Sequence, residues 1–80
     1  MSYDWDVSRQ VTERILGLSK SSRDKAIALF DSLAANLENA AEASFEDVDG
    51  VTHYVVTFGP SAVTYVVDHA VKLAHVVAFE

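Results

Sequence analysis

The sequence contains no cysteine, one proline and six lysine or arginine residues among its 80 positions. Without cysteine the chain can form neither a disulfide framework nor a thiolate metal site, so a domain this small depends on packing, a partner or self-association for stability. No apolar run approaches the roughly 20 residues that a membrane-spanning helix needs. The acidic opening, Met-Ser-Tyr-Asp-Trp-Asp, lacks the apolar segment of a signal peptide, and we expect a cytoplasmic protein.

The scarcity of basic residues is greatest in the second half of the chain. Residues 1–45 carry seven acidic and five basic residues, whereas residues 46–80 carry five acidic residues and Lys72 alone, for a net charge of -6. Affinity for nucleic acids comes largely from Lys and Arg on phosphates, so this balance disfavours RNA or DNA as a direct ligand. The hydrophobic content of 50% is high for a small domain and indicates that part of it is buried against another chain.

The beginning of the chain carries the patterns of a strand and a helix. Apolar residues alternate with aspartates over residues 3–7, which predicts a short, half-buried strand. Ser8 follows in the position of a helix N-cap, and the spacing of Val11, Ile15 and Leu18 predicts a first helix over 9–18.

A second, stronger helix is predicted after a short serine-rich linker. Ser21 or Ser22 can accept hydrogen bonds from its first free amides, and the helix runs to about Ala41. The two helices should form an antiparallel hairpin because their linker is short. The second helix has one apolar stripe: Ile27, Phe30, Leu33, Ala34 and Leu37.

The last thirty residues predict three strands in a row, over 51–58, 62–68 and 71–79. An acidic, turn-like segment over 43–50 precedes them, and short turns separate them, which is typical of an antiparallel meander. We therefore predict a single α+β domain over 1–80, with the order β-α-α-β-β-β and the helical hairpin packed on one face of an antiparallel sheet.

Alternation within the predicted strands assigns their side chains to two faces, although both faces of the last strand are apolar and leave its phase open. The predicted inward-facing residues are Tyr54, Val56, Phe58, Val63, Tyr65 and Val67. The predicted outward-facing residues are His53, Val55, Thr57, Ala62, Thr64 and Val66.

The stretch over residues 54–65, which spans the first two predicted strands of the last thirty residues, is similar to a known motif that begins Tyr-Arg-Leu-Arg-Val-Gly and ends Val-Ile-Tyr. The linker Leu18-Ser19-Lys20 also takes the place of a common Leu-Pro-Lys. The positions that coincide without a gap are Tyr54, Gly59, Val63, Tyr65 and Asp68. On these residues, and on element order and length, nearly the whole chain resembles the RelE/ParE superfamily of toxin–antitoxin toxins. The resemblance implies that fold and the context of a toxin module.

The sequence departs from this superfamily where some of its members cleave RNA. Val55, Thr57 and Ala62 stand where relatives commonly have arginines, and the chain stops at Ala78-Phe79-Glu80 without the family's usual basic and tyrosine-containing ending. Ribonuclease members need cations and acid/base groups to hold RNA and stabilise developing charge. The resemblance therefore does not transfer an active site to this chain.

We expect the protein to act by binding a protein partner, antitoxin-like or a target, or by pairing with itself as a homodimer. The expected binding surface is the outer face of the sheet: Val55, Thr57, Ala62, Thr64 and Val66. Uncharged patches of this kind often mark interaction sites, although Val and Thr are also common on ordinary exposed sheets.

Two alternatives stay open at this point. A divergent, ribosome-dependent endoribonuclease would use His53 or His75 as its acid or base. A non-toxic phage or regulatory inhibitor on the same fold would use the acidic charge to bind a basic partner. We assign no cofactor or metal, because a metal site would require strands 51–58 and 71–79 to pair and bring two histidines together near Asp68.

Overall fold

Two α-helices and five strands make up the fold of residues 2–80, which are the residues that the computed structural model describes. The α+β class is confirmed, with both helices on one face of a sheet. In chain order the elements are β1 (Asp4–Val7), α1 (Arg9–Leu16), α2 (Lys20–Asn36), a 3-10 turn (Leu37–Ala40), β2 (Ala43–Glu46), β3 (Thr52–Phe58), β4 (Ser61–Asp68) and β5 (Leu73–Phe79).

The sheet has the strand order β1-β5-β4-β3-β2. Strands β3 to β5 form an antiparallel meander, as predicted, and β2 extends it antiparallel to β3, whereas β1 pairs parallel with β5. The prediction of a turn over 43–50 was wrong in part, because residues 43–46 form the edge strand β2. All four residues of β2 are exposed, so this strand has no buried alternation that the sequence could display.

The helices begin and end differently from the prediction at three of their four ends. Ser8 caps α1 as predicted, accepting a hydrogen bond from the amide of Val11 at 3.3 Å. The cap of α2 is Ser19, which accepts from the amide of Ser22 at 3.2 Å, so the choice of Ser21 or Ser22 was wrong. Both of those serines lie in the first turn of the helix.

No helix within residues 2–80 is long and apolar enough to cross a membrane.

Leu37 ends α2 earlier than the predicted Ala41. Its φ of 51° lies in the left-handed region, which residues other than glycine rarely adopt. The chain continues as the short 3-10 turn Leu37–Ala40 before it enters β2. The first helix is also shorter than predicted and ends at Leu16, immediately before Gly17.

The core lies between the helices and the inner face of the sheet. Of the predicted stripe on α2, Phe30, Leu33 and Ala34 are buried, but Ile27 is 40% exposed. The predicted inner face is confirmed: Val56, Val63 and Tyr65 are buried, and Tyr54, Phe58 and Val67 pack against the core.

A β-bulge resolves the phase of β5. Tyr65 pairs with Val76 and Thr64 with Ala78, so Val77 is an extra residue between them. An extra residue moves the side chains that follow it to the opposite face relative to simple alternation. Val76 and Phe79 therefore both reach the core although they are three residues apart, which explains why both faces of this strand look apolar in the sequence.

Tyr65 should make a larger contribution to stability through its hydroxyl than Tyr54. The Tyr65 hydroxyl donates to the carbonyl of Leu37 at 2.7 Å, whereas the Tyr54 hydroxyl makes no hydrogen bond within residues 2–80. We expect Tyr65→Phe to lower the free energy of unfolding by about 1–3 kcal/mol, because the carbonyl loses its partner. Tyr54→Phe should change it by less than about 0.5 kcal/mol. Urea unfolding of both variants measures the difference, and equal effects would contradict it.

Candidate functional site

The five residues predicted to form a binding surface share the outer face of the sheet as direct neighbours. Val55 pairs with Thr64 and Thr57 with Ala62 across β3 and β4, and Val66 continues the row along β4. Because paired residues project to the same side of a sheet, these five side chains form one patch, called the outer patch from here on. Thr57 is exposed and the other four are half-buried.

Neighbouring strands extend the outer patch on both sides. Ala43 of β2 pairs with Val55, and Ala78 of β5 pairs with Thr64. Phe45 of β2 pairs with His53, and their rings stack with centroids 4.9 Å apart at an angle of 6°. Phe45 remains 52% exposed, so a large aromatic surface borders the patch on the edge strand.

Negative charges surround this uncharged centre. None of the five strands contains a lysine or arginine. Asp4 of β1 and Asp68 of β4 both pair with Leu73, the first residue of β5, so they lie on the outer face at the end of the sheet where β5 begins. On the other side, the carboxylate of Glu42 accepts hydrogen bonds from the amide and hydroxyl of Thr57 at 3.0 Å each. An apolar centre with a polar rim is the usual anatomy of a protein–protein interface.

His53 and His75 both lie on the outer face, and each is held by an aspartate. His53 Nε2 is 2.9 Å from Asp47 Oδ2, and His75 Nδ1 forms a hydrogen bond with Asp6 Oδ1. The register places Val66 between the two rings, since it pairs with His75 and lies beside His53. Two strand spacings separate the histidine backbones by about 10 Å.

The same strand order separates the two strands that carry His53 and His75. A metal site required direct pairing of these two strands, but β4 lies between β3 and β5. Within residues 2–80, no group of three or more His, Asp or Glu side chains is arranged to hold a metal ion.

His69 has a structural role, and its hydrogen-bond partners are distant in the sequence. Its Nδ1 lies 2.5 Å from the Tyr3 hydroxyl and its Nε2 lies 2.7 Å from Glu38 Oε1. The ring thus joins the chain before β1, the 3-10 turn and the β4–β5 turn. These partners are 66 and 31 residues away in the sequence, so no local pattern could have indicated them.

Hydrogen bonds lower the pKa of three carboxyl groups around the sheet. His53, followed by the backbone amide of Val51, lowers the pKa of Asp47. The amide and then the hydroxyl of Thr57 lower the pKa of Glu42. A backbone hydrogen bond, followed by His69, lowers the pKa of Glu38. The lowered pKa keeps each of these groups ionised at neutral pH, and Asp47 and Glu42, which bond to His53 and Thr57 of the outer face, place negative charge there.

Comparison with known proteins supports one conclusion about the fold. No protein-family model and no curated protein matches this sequence. A chain in the crystal structure of the archaeal RelE-RelB complex from Pyrococcus horikoshii OT3 superimposes with a TM-score of 0.81 at 18% sequence identity. The match covers 100% of this chain and 94% of that chain. The fold is RelE-like. This likeness confirms the predicted architecture of the whole chain, including the sheet that carries the outer patch.

Asp47→Asn should reduce the loss of stability in acid. The lowered pKa of Asp47 means that its carboxylate stabilises the folded state above its ordinary pKa of 3.8 and loses that effect as pH falls through the lower folded value. We expect the free energy of unfolding to decline less steeply between pH 5 and pH 3 in the variant than in the wild type. Urea unfolding monitored by the fluorescence of Trp5 measures this slope.

Asp24→Asn is the matched control, because it also removes one negative charge, from a surface pair with Lys20. Asp47→Asn should change the slope more than this control does. Identical slopes for wild type and Asp47→Asn would show that the contact between Asp47 and His53 does not contribute to stability.

Proposed function

We propose that this RelE-like protein acts by binding another protein through the outer patch, as a component of a toxin–antitoxin type system, and not by cleaving RNA. The observation that carries this proposal is the composition of the outer face. It presents neighbouring Val, Thr and Ala side chains in its centre and carboxylates at its edges.

The absence of basic residues from all five strands argues against RNA as the ligand. An RNA-cleaving face has to neutralise phosphates with cations and stabilise the charge that develops during cleavage. Here the carboxylates of Asp6, Asp68 and Glu42 border the face instead and would repel a phosphate backbone.

A protein partner also fits the exposed edge of the sheet. Strand β2 is the last strand on its side, and all four of its residues are exposed. An edge strand with free backbone groups can accept a further strand from a partner. Phe45 would add an aromatic anchor at this edge, since aromatic residues are enriched among the residues that dominate binding energy.

The similar solved structure is a complex of RelE with RelB. By analogy we propose a cytoplasmic partner of the antitoxin kind for this chain, with a second copy of the chain as the other candidate for the same patch. The acidic rim favours a partner surface that is basic around an apolar centre.

Replacing Val55 or Val66 with aspartate should abolish binding at the outer patch. A carboxylate in the centre of an apolar interface would be desolvated without a partner, and we expect the affinity to fall by about tenfold or more. Light scattering measures self-association, and a pull-down with any antitoxin-like protein that a neighbouring gene is found to encode, co-expressed with this chain, measures partner binding.

Val71→Asp is the matched control, because Val71 is exposed in the β4–β5 turn and lies outside the patch. It should bind as the wild type does. If Val55→Asp and Val66→Asp remain folded by circular dichroism and still behave like the wild type in both measurements, the proposed binding face is wrong.

A second candidate function is RNA cleavage, which one specific observation favours: two Asp–His pairs lie on the same outer face. Histidines held by carboxylates are common general acids and bases. If this alternative is correct, the wild type should cleave mRNA during translation, and His53→Ala or His75→Ala should reduce the rate by about 100-fold or more. The proposal of protein binding predicts no cleavage by the wild type, which a translation extract with labelled mRNA would test.

A further inference from the structure

A groove of about 460 Å³ opens on the helical side of the molecule, away from the outer patch. Residues from both helices, from the β3–β4 turn and from the end of β5 form its walls. The volume is within the range of about 300–1,000 Å³ that is typical of sites for small molecules and side chains.

The walls of the groove are largely apolar. Leu18 lines one side, and Phe58 and Phe79 line the other. The two phenylalanine rings contact each other edge to face, with centroids 5.4 Å apart. Phe79 is fully buried in the core, so this wall is rigid.

Two cations, Arg14 and Lys25, also line the groove. The Arg14 guanidinium lies 5.3 Å from the centre of the Phe79 ring and donates to Ser61 Oγ at 3.4 Å. These contacts hold its charge at the groove wall without neutralising it.

Neither cation has a carboxylate within 4 Å among residues 2–80. By contrast, two other cations of the helical hairpin have acidic partners one turn away. Arg9 lies 3.3 Å from Glu13, and Lys20 lies 3.1 Å from Asp24. In a chain of net charge -6, two unneutralised cations share one apolar groove.

We propose that this groove docks a segment of the protein partner in which a carboxylate stands next to a large apolar side chain. The apolar side chain would contact Leu18 and Phe58, and the carboxylate would lie between Arg14 and Lys25. A guanidinium presents its donors in a fork that matches a carboxylate. This inference rests on the proposed function, namely that the chain acts by binding a protein.

The groove and the outer patch then select opposite charges. The acidic rim of the outer patch favours a basic surface, whereas the groove favours an acidic segment. A partner that contacts both sides of the molecule can bind in one orientation only, because reversal would place like charges together.

The test uses the ¹⁵N-labelled full chain and the blocked peptide acetyl-Glu-Leu-Phe-Glu-amide, with versions that carry Gln or Lys in place of both Glu residues. Titration followed by two-dimensional NMR should shift the amides of Gly59, Ser61 and Phe79 saturably with the acidic peptide. The Gln peptide should bind at least about fivefold more weakly, and the Lys peptide should produce no saturable shift.

Lys25→Gln should weaken binding of the acidic peptide by about threefold to tenfold, since it removes one exposed cation. Lys20→Gln, on the same helix outside the groove, should leave binding unchanged. Arg14→Gln should also weaken binding, but Arg14 packs on Phe79, so Lys25→Gln is the decisive variant. The free carboxylate 4-phenylbutyrate tests a small molecule as the occupant.

Three results would overturn this proposal: equal shifts with the Lys peptide, unchanged affinity in Lys25→Gln, or tighter binding of 4-phenylbutyrate than of the acidic peptide. The last result would identify the groove as a small-molecule site. Val55→Asp should bind the acidic peptide as the wild type does, so failure at the groove and failure at the outer patch are measured separately.

Discussion

The Tyr65 side chain joins the two layers of the molecule at their centre. It is the largest fully buried side chain, it lies on the central strand β4, and its hydroxyl donates to the carbonyl of Leu37. Burial, with a smaller effect from Glu38, raises the pKa of Tyr65 to about 12, so the hydroxyl keeps its proton for this bond. The bond is formed at the residue where α2 ends in a left-handed conformation.

Other contacts follow from that fixed point. Because α2 ends at Leu37, the next residue, Glu38, reaches His69, and His69 reaches Tyr3. After the 3-10 turn, the chain continues into β2, which pairs at the edge of the sheet. The helices cover one face of five strands, and the other face is left to the outer patch. A chain of this size buries only about 60% of its unfolded surface, so a partner on the outer face would add to a small core.

Much of the fold could be predicted from alternation and spacing. Tyr54, Val56 and Phe58 follow period two, and the residues that alternate with them share the outer face, as the alternation predicts. Strand β2 could not be predicted, because its formation depends on pairing with β3 and on no burial of its own. The bulge at Val77 and the left-handed Leu37 depend on tertiary packing, which a local sequence pattern does not contain. The groove brings Arg14 and Lys25 next to Phe58 and Phe79, and only the finished fold places them together.

The parallel pairing of β1 with β5 has a consequence for the synthesis of this chain on the ribosome. Asp6 pairs with His75, so β1 cannot join the sheet until β5 has been synthesised. Contacts between such distant parts of a chain form slowly, because a large loop must close first. Until β5 has emerged, Trp5 and Val7 lack their strand partners and the apolar face of α2 is incompletely covered. The protein partner proposed above, if already present in the cell, would have access to the nascent chain during this interval, before the protein has ever existed in its free folded form.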